Sequence, residues 1–218
     1  MARPHLPAAP RVVEAACGPG AALPVLREQL PAATLQAFDL HPPFVEQARA
    51  RQVPGAEVFV GDMTVWAPDA PADLVWCEGA VYFLGVRPAL ERFRTWLRPG
   101  GLVVFSDAVW TVPPAERPAA AVDMWEEYPG MRDIAGCLDQ VADAGFEVVD
   151  SFPLPAGDWS EHYYGPIDAR IEALRAEHAD DPEALAELDE HAREGQIYRA
   201  CGHSYTYLMV VARLPTAR

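Results

Sequence analysis

The residues best suited to chemistry lie near the start of the chain, in a glycine loop and an acid that follows it. The segment RVVEAACGPG ends in Cys17-Gly18-Pro19-Gly20, and Asp39 comes next in QAFDLHP. A loop with so few side chains lets a ligand lie against the backbone, and the free N–H groups of the following helix point toward that ligand. A carboxylate roughly 20 residues beyond such glycines is placed to accept hydrogen bonds from two ribose hydroxyls. The pattern predicts a site for an adenosine-containing cofactor.

The spacing of the glycines narrows the choice of cofactor. A dinucleotide site needs Gly-x-Gly-x-x-Gly and a P-loop needs a lysine, whereas Gly20 is followed by Ala21-Ala22-Leu23. The spacing of the glycines therefore argues against a nicotinamide-dependent oxidoreductase. The loop, with Glu14 and Ala16 before it, resembles motif I of the class I S-adenosylmethionine-dependent methyltransferases, which usually have Asp and Gly at those two positions. The resemblance implies S-adenosylmethionine as the cofactor. The alternative is a strand–helix turn without a ligand.

Alternating strand and helix signals must position this loop. The predicted strands are Arg11–Ala15, Thr34–Phe38, Glu57–Val60, Asp73–Cys77, Leu102–Asp107, Phe146–Phe152 and Ser204–Arg213. Such alternation predicts an α/β fold, a Rossmann-like seven-stranded and mostly parallel sheet with helices on both faces. We expect the last strand to be antiparallel and inserted beside the Phe146–Phe152 strand. We also expect a single domain over residues 1–218, with a cofactor-binding half (1–110) and an acceptor-side half (111–218) that carries helical lid insertions.

The resemblance extends over most of the chain. The stretches DLVWCEGAVYFLG, LRPGGLVVFSDAVW, ERPAAAVDMWEEYP and DWSEHYYGP are similar in order and spacing to a bacterial subgroup of methyltransferase type 11-like proteins without an assigned substrate. Members of that subgroup usually carry a longer segment before motif I. This difference predicts either a cofactor site that is more open than in relatives or an N-terminus that is incomplete.

The resemblance assigns the cofactor residues. It implies that backbone groups of the glycine loop hold the methionine end, that Asp39 binds the ribose and that Leu40 packs on the adenine. It also implies that Asp62 and Met63 contact the adenine, Asp62 through a hydrogen bond to the amino group, and that Glu14 orders the loop through backbone N–H groups. Asp39 has an alternative role as a cap at the end of its strand, and Asp62 as a cap of the turn that follows it. The predicted cofactor-binding residues are Glu14, Ala16, Cys17, Gly18, Gly20, Asp39, Leu40, Asp62, Met63 and Glu78.

Two acids at the ends of adjacent strands are the candidates for acceptor chemistry. Glu78 and Asp107 should point into one cleft at the carboxyl edge of the sheet, where open α/β sheets bind ligands. Glu78 would act as a base or hold a cationic acceptor, and a salt bridge is its alternative. His162 is a third candidate catalytic residue, with a hydrogen-bonded structural role as its alternative. The predicted substrate-binding aromatic residues are Tyr82, Trp110, Tyr163 and Tyr164. Tyr163 and Tyr164 belong to the predicted lid, and a place in the lid core is their alternative role.

Composition limits the partners. The net charge is −15, from 32 acidic residues against 17 Lys plus Arg, so the surface repels phosphate backbones and anionic lipids. We expect no nucleic-acid and no membrane partner, and a homodimer is left open. Four scattered cysteines and an N-terminus without an apolar signal segment predict a cytoplasmic location. No metal-binding spacing is present, so we expect no metal.

These observations predict an enzyme that transfers a methyl group from S-adenosylmethionine to a small-molecule acceptor by in-line displacement. The leaving group departs neutral, so positioning can supply most of the acceleration, and a base is needed only if the acceptor must lose a proton. The alternative is a non-catalytic S-adenosylmethionine-binding module or oligomer subunit. The sequence does not distinguish N, O, S and C methylation.

Overall fold

A computed structural model describes residues 5–216 of the chain. The chain divides into two compact units. The first unit comprises the residues up to Asp107, Ala135–Phe152 and the residues from Met209 onward. The second comprises Ala108–Ile134 and Pro153–Leu208. The organisation as one domain with two halves stays a prediction.

The elements follow the predicted alternation closely. The strands are β1 (Arg11–Ala15), β2 (Thr34–Asp39), β3 (Ala56–Val60), β4 (Ala72–Cys77), β5 (Leu97–Trp110), β6 (Arg132–Asp133), β7 (Glu147–Pro153) and β8 (Tyr205–Arg213). The helices are α1 (Ala22–Gln29), α2 (Pro42–Ala50), α3 (Val86–Arg94), α4 (Ala119–Met124), α5 (Ile134–Asp143), α6 (Ala156–Trp159), α7 (Gly165–Glu177) and α8 (Pro182–Cys201).

The strands form one sheet in the order β3-β2-β1-β4-β5-β8-β7, and β6 pairs with β5 outside this path. Strands β1 to β5 are parallel to their neighbours. The N–H of Gly100 donates to Leu214 and the N–H of Thr111 donates to Ser204, so β8 runs antiparallel to β5. The α/β fold with an inserted antiparallel last strand is confirmed. The extra strand is β6, a two-residue strand that the sequence pattern did not predict.

Apolar periodicity explains the elements of the first unit. Strands β4 and β5 are buried along most of their length, as expected of parallel strands covered on both faces. In α3 the buried residues are Val86, Ala89, Leu90 and Phe93, which lie three or four positions apart and so form one stripe toward the sheet. Helix α2 begins at Pro42, whose fixed φ suits a first helical turn. These helices and strands bring the glycine loop and the strand ends to one edge.

An aromatic core holds the second unit together. Trp159 stacks on Tyr198 and on Tyr164, with ring centroids 5.3 Å and 6.0 Å apart. Helix α8 begins at Pro182, and its N-cap is Asp181, whose carboxylate accepts hydrogen bonds from the N–H groups of Glu183 and Ala184. The buried cluster consists of Ala108, Trp110, Ala121, Met131, Trp159, Tyr164, Tyr198, Cys201 and Tyr205.

Two chain-wide features bear on the environment of the protein. Within residues 5–216, no helix combines the length and the apolar composition needed to cross a bilayer. The cysteines at positions 17, 77, 137 and 201 are all buried and unpaired.

Candidate cofactor and acceptor sites

The carboxyl ends of five strands meet at one edge of the first unit. Ala15 pairs with Phe38, Asp39 with Val60 and Cys77 with Phe105. Residues just beyond these pairs therefore lie at the same edge. They include the glycine loop, Asp39, Gly61-Asp62-Met63 and Glu78. The sequence analysis placed the cofactor at this edge, where ligands of open α/β sheets bind.

The glycine loop has the shape of a backbone cradle. Ala16, Gly18 and Gly20 all have positive φ, at 55°, 52° and 74°. A Cβ added at Gly18 would meet no atom within 4 Å, whereas one at Gly20 would lie 2.8 Å from the Cβ of Ala48. Gly20 is thus needed for packing against α2, and Gly18 leaves open space beside the backbone. This space fits a cofactor that lies against the loop.

Asp39 fastens the loop to the end of β2. Its Oδ2 accepts a hydrogen bond from the N–H of Gly18 at 2.8 Å, and its Oδ1 accepts one from the N–H of His41 at 2.8 Å. The bond to His41 is the strand-end cap that the sequence offered as an alternative, and the bond to Gly18 had not been foreseen. A carboxylate oxygen has two acceptor sites, so each oxygen retains capacity for a ribose hydroxyl. Leu40, next to it, is 66% exposed.

Glu14 is buried beneath the loop rather than bonded to it. Its side chain is 4% exposed, and its Oε2 has no hydrogen-bond partner among residues 5–216. The loop N–H groups of Cys17 and Gly20 donate to backbone oxygens, so the predicted ordering of the loop falls to Asp39. Burial, with the negative charge of Glu78 as a smaller cause, raises the pKa of Glu14 to about 8, and Arg51 opposes this shift.

Asp62 caps the turn after β3. Its Oδ1 accepts a hydrogen bond from the N–H of Thr64 at 2.7 Å, which lowers the pKa of Asp62. This is the cap role that the sequence offered as the alternative to an adenine contact. Met63 beside it is buried. A contact of either residue with the adenine stays a prediction.

The two acceptor-side acids lie on opposite faces of the sheet: Glu78 directly follows β4, and Asp107 lies within β5, which continues to Trp110 and does not end at Asp107 as expected. Glu78 accepts a hydrogen bond from the indole N–H of Trp76 at 3.0 Å and is exposed. Cys77 pairs with Phe105, and side chains alternate along a strand, so Asp107 lies on the face of Phe105 and Glu78 on the face of Trp76. The expectation that both acids point into one cleft is therefore corrected. The sequence analysis missed Ser106, whose hydroxyl accepts a hydrogen bond from the N–H of Gly79.

The predicted substrate-binding aromatic residues differ in accessibility. In the first unit, Tyr82 is 38% exposed and its ring contacts Phe83. In the second unit, Tyr163 is 47% exposed, whereas Trp110 and Tyr164 are buried. Tyr164 occupies the core position that was its alternative role, and Trp110 belongs to the same buried cluster, which had not been foreseen.

His162, the predicted third catalytic residue, lies in the second unit. It is exposed and belongs to a short π-helical turn at Ser160–Tyr164. Single-turn π segments are frequent at functional sites. A role as a base stays a prediction.

Tyr164 gives a test of the core assignment. Its hydroxyl donates to Glu194 Oε1 at 2.9 Å, and burial, followed by the charge of Glu194, raises the pKa of Tyr164. We expect Tyr164→Phe to lower the free energy of unfolding by about 1–2 kcal/mol, because a buried hydrogen bond to a charged group is lost. Tyr163→Phe, at the half-exposed neighbour, is the control and should change stability by less. Urea titration followed by circular dichroism measures both, and equal effects would contradict the assignment.

The first unit thus has the architecture of a nucleoside-cofactor fold, and comparisons with known proteins specify the class. Residues 12–101 match the family model described as methyltransferase domain. A trans-aconitate 2-methyltransferase of Variovorax paradoxus (strain S110) is 28% identical, and the match covers 85% of this chain and 86% of that protein. One from Paracidovorax citrulli (strain AAC00-1) is 34% identical, but the match covers only 47% of this chain and 40% of that protein.

A solved structure shows the same fold over the whole chain. A SAM-dependent methyltransferase from Thiobacillus denitrificans, in complex with S-adenosyl-L-homocysteine, aligns with a TM-score of 0.82 and 21% identity, covering 100% of this chain and 88% of that one. Together these similarities support a class I S-adenosylmethionine-dependent methyltransferase. This confirms the predicted class, enzyme type and cofactor.

Proposed function

We propose that the chain transfers the methyl group of S-adenosylmethionine to a small-molecule acceptor. The observation that carries this proposal is the cradle at the edge of the first unit. In this cradle Asp39 accepts a hydrogen bond from the N–H of Gly18, and the space beside the Gly18 backbone is open. S-adenosylmethionine supplies an electrophilic methyl on a sulfonium, and its leaving group departs neutral. The chain's own residues then need to hold donor and acceptor in line and to exclude competing geometries.

Each cofactor contact is proposed for a residue at that edge. Backbone groups of Ala16, Cys17, Gly18 and Gly20 would lie along the methionine end. Asp39 would accept from the ribose hydroxyls, and Leu40, exposed beside it, would cover the adenine. The backbone and side chains of Asp62, Met63 and Glu78 complete the proposed set. The buried carboxyl of Glu14 lies below the loop and would act through it.

The acceptor is proposed to be a small metabolite. A carboxylate such as trans-aconitate is the specific candidate, favoured by the names of the relatives. A cationic acceptor has less support, because strand alternation places Glu78 and Asp107 on opposite faces of the sheet and leaves Glu78 without a second acid beside it. Glu78 and His162 are both exposed and stay the candidate bases, needed only if the acceptor loses a proton.

Calorimetry followed by an activity assay tests the proposal. We expect S-adenosylmethionine and S-adenosylhomocysteine to bind, and a nicotinamide dinucleotide not to bind. We also expect label to pass from methyl-labelled S-adenosylmethionine to trans-aconitate or to a compound of a metabolite pool. Binding with no transfer to any compound would favour the non-catalytic module. Absence of binding to folded protein would remove the proposal.

The location and the partners of the protein are proposed from its net charge and its free thiols. A cytoplasmic location is supported by four buried, unpaired cysteines, since reducing compartments keep thiols free. The exclusion of nucleic-acid and membrane partners is supported by the net charge of −15. A homodimer and the absence of a resident metal stay predictions.

A further inference from the structure

A cavity within the second unit has no role in the cofactor site. It has a volume of about 300 Å³ and is lined, among others, by Trp110, Arg117, Asp123, Trp125, Glu126 and Tyr128. All of these residues belong to the segment Ala108–Ile134. This size is at the lower end of the range for small-molecule sites, and aromatic walls with a few polar groups are typical of such sites.

Two buried donors of this cavity lack an acceptor. The Nε of Arg117 and the indole Nε1 of Trp125 are both shielded from solvent and have no hydrogen-bond partner among residues 5–216. Buried polar groups in native proteins are nearly always hydrogen-bonded, and an exception calls for a missing partner. Both missing partners are acceptors, because a guanidinium and an indole N–H can only donate.

The position of Arg117 indicates the charge of the missing partner. The guanidinium carbon lies 4.5 Å from the centroid of the Trp110 ring, so the aromatic face already carries a cation. No ion pair joins Arg117 to a carboxylate within the described part of the chain. A cationic ligand would be repelled by Arg117 and would leave both donors unpaired. A planar anion fits the fixed donor geometry of a guanidinium.

We propose that this cavity binds the carboxylate of a small molecule through Arg117 and Trp125. The carboxylate could belong to a polycarboxylate or to an amino acid, whose ammonium group would then face the exposed acids Asp123 and Glu126. Arg117 and Trp125 would recognise the carboxylate of either kind of molecule in the same way. The two kinds differ in the group beside that carboxylate, which is a further carboxylate or an ammonium group.

Calorimetry in the presence of S-adenosylhomocysteine tests the assignment with two probes, trans-aconitate and glycine. We expect one of them to bind, and its neutral counterpart (the trimethyl ester of trans-aconitate, or glycinamide) to bind at least roughly tenfold more weakly. Arg117→Gln should weaken binding of the carboxylate by roughly tenfold or more, because a charged donor is lost. Trp125→Phe keeps the ring and removes the N–H, and should weaken binding by a smaller factor.

The control variant is Arg193→Gln, at an exposed arginine of α8 in the same unit, and it should bind like wild type. Arg117→Lys keeps the charge but loses the planar fork of donors that binds a carboxylate, so it should weaken binding by a smaller factor, and it covers the case in which Arg117→Gln fails to fold. Carboxylate affinity unchanged in a folded Arg117→Gln or Arg117→Lys protein would overturn the assignment. So would failure of both probes to bind a wild type that still binds S-adenosylhomocysteine, and in that case the proposed function would stand. Loss of S-adenosylhomocysteine binding by the wild type would instead remove the proposed function.

Discussion

Replacing Asp39 by alanine is expected to weaken the affinity for S-adenosylhomocysteine by roughly 100-fold. Two effects add. The loop loses the acceptor of the Gly18 and His41 N–H groups, each bonded at 2.8 Å, and the proposed ribose contact loses its charged partner. Hydrogen bonds to charged groups contribute about 1.5–3 kcal/mol each, and about 1.4 kcal/mol corresponds to a factor of ten in affinity. Calorimetry measures the change directly.

A deoxyribose form of the ligand separates the loop effect from the ribose contact. If Asp39 binds the ribose, 2′-deoxy-S-adenosylhomocysteine should bind wild type more weakly than the parent ligand, and Asp39→Ala should bind both alike. Asp139→Ala, at an exposed acid on α5, is the matched control. A deoxy penalty of equal size in wild type and Asp39→Ala would show that Asp39 only supports the loop.

The fold was predictable because its signals are local. Buried parallel strands are continuous apolar runs, and α3 carries its apolar residues at helical spacing, so both could be recognised without knowledge of the tertiary structure. The place of β8 beside β7 followed from the need to bury its apolar residues. The two-residue strand β6 was missed because its pairing with Val109 and Trp110 of β5 is set by a distant segment.

The site was predictable in its backbone and less so in its side chains. The loop glycines and Asp39 could be located from spacing. The bond from Gly18 to Asp39 and the burial of Glu14 depend on how β1 and β2 align, which a single sequence does not state. The sides on which Glu78 and Asp107 lie depend on the register of β4 against β5. Arg117 lies in a Pro-rich connection, in a stretch whose resemblance assigned it no role, so only the structure showed its stacking on Trp110.

The largest expected effect of pH on stability comes from Glu14. Its ordinary pKa of 4.5 is raised to about 8 in the folded chain, chiefly by burial and then by Glu78. The folded state therefore binds a proton that the unfolded state has released, and the resulting stabilisation is complete below pH 4.5 and is lost as pH rises toward 8. Between pH 5 and pH 8 the wild type should lose about 3 kcal/mol from this group.

The variant Glu14→Gln isolates this loss, because its amide stays neutral at every pH. Relative to wild type it should gain about 3 kcal/mol of unfolding free energy between pH 5 and pH 8. The titratable groups within electrostatic reach of Glu14 are Cys17, Cys77, Glu78 and Arg51. The two thiols do not cause the loss between pH 5 and pH 8, because burial raises the pKa of the Cys17 thiol to about 12 and also raises the pKa of the Cys77 thiol. Glu28→Gln, at an exposed position of α1, is the control and should follow the wild type across this range. Urea unfolding at both pH values decides the matter, and parallel curves for wild type and Glu14→Gln would mean that Glu14 is ionised in the folded chain at neutral pH.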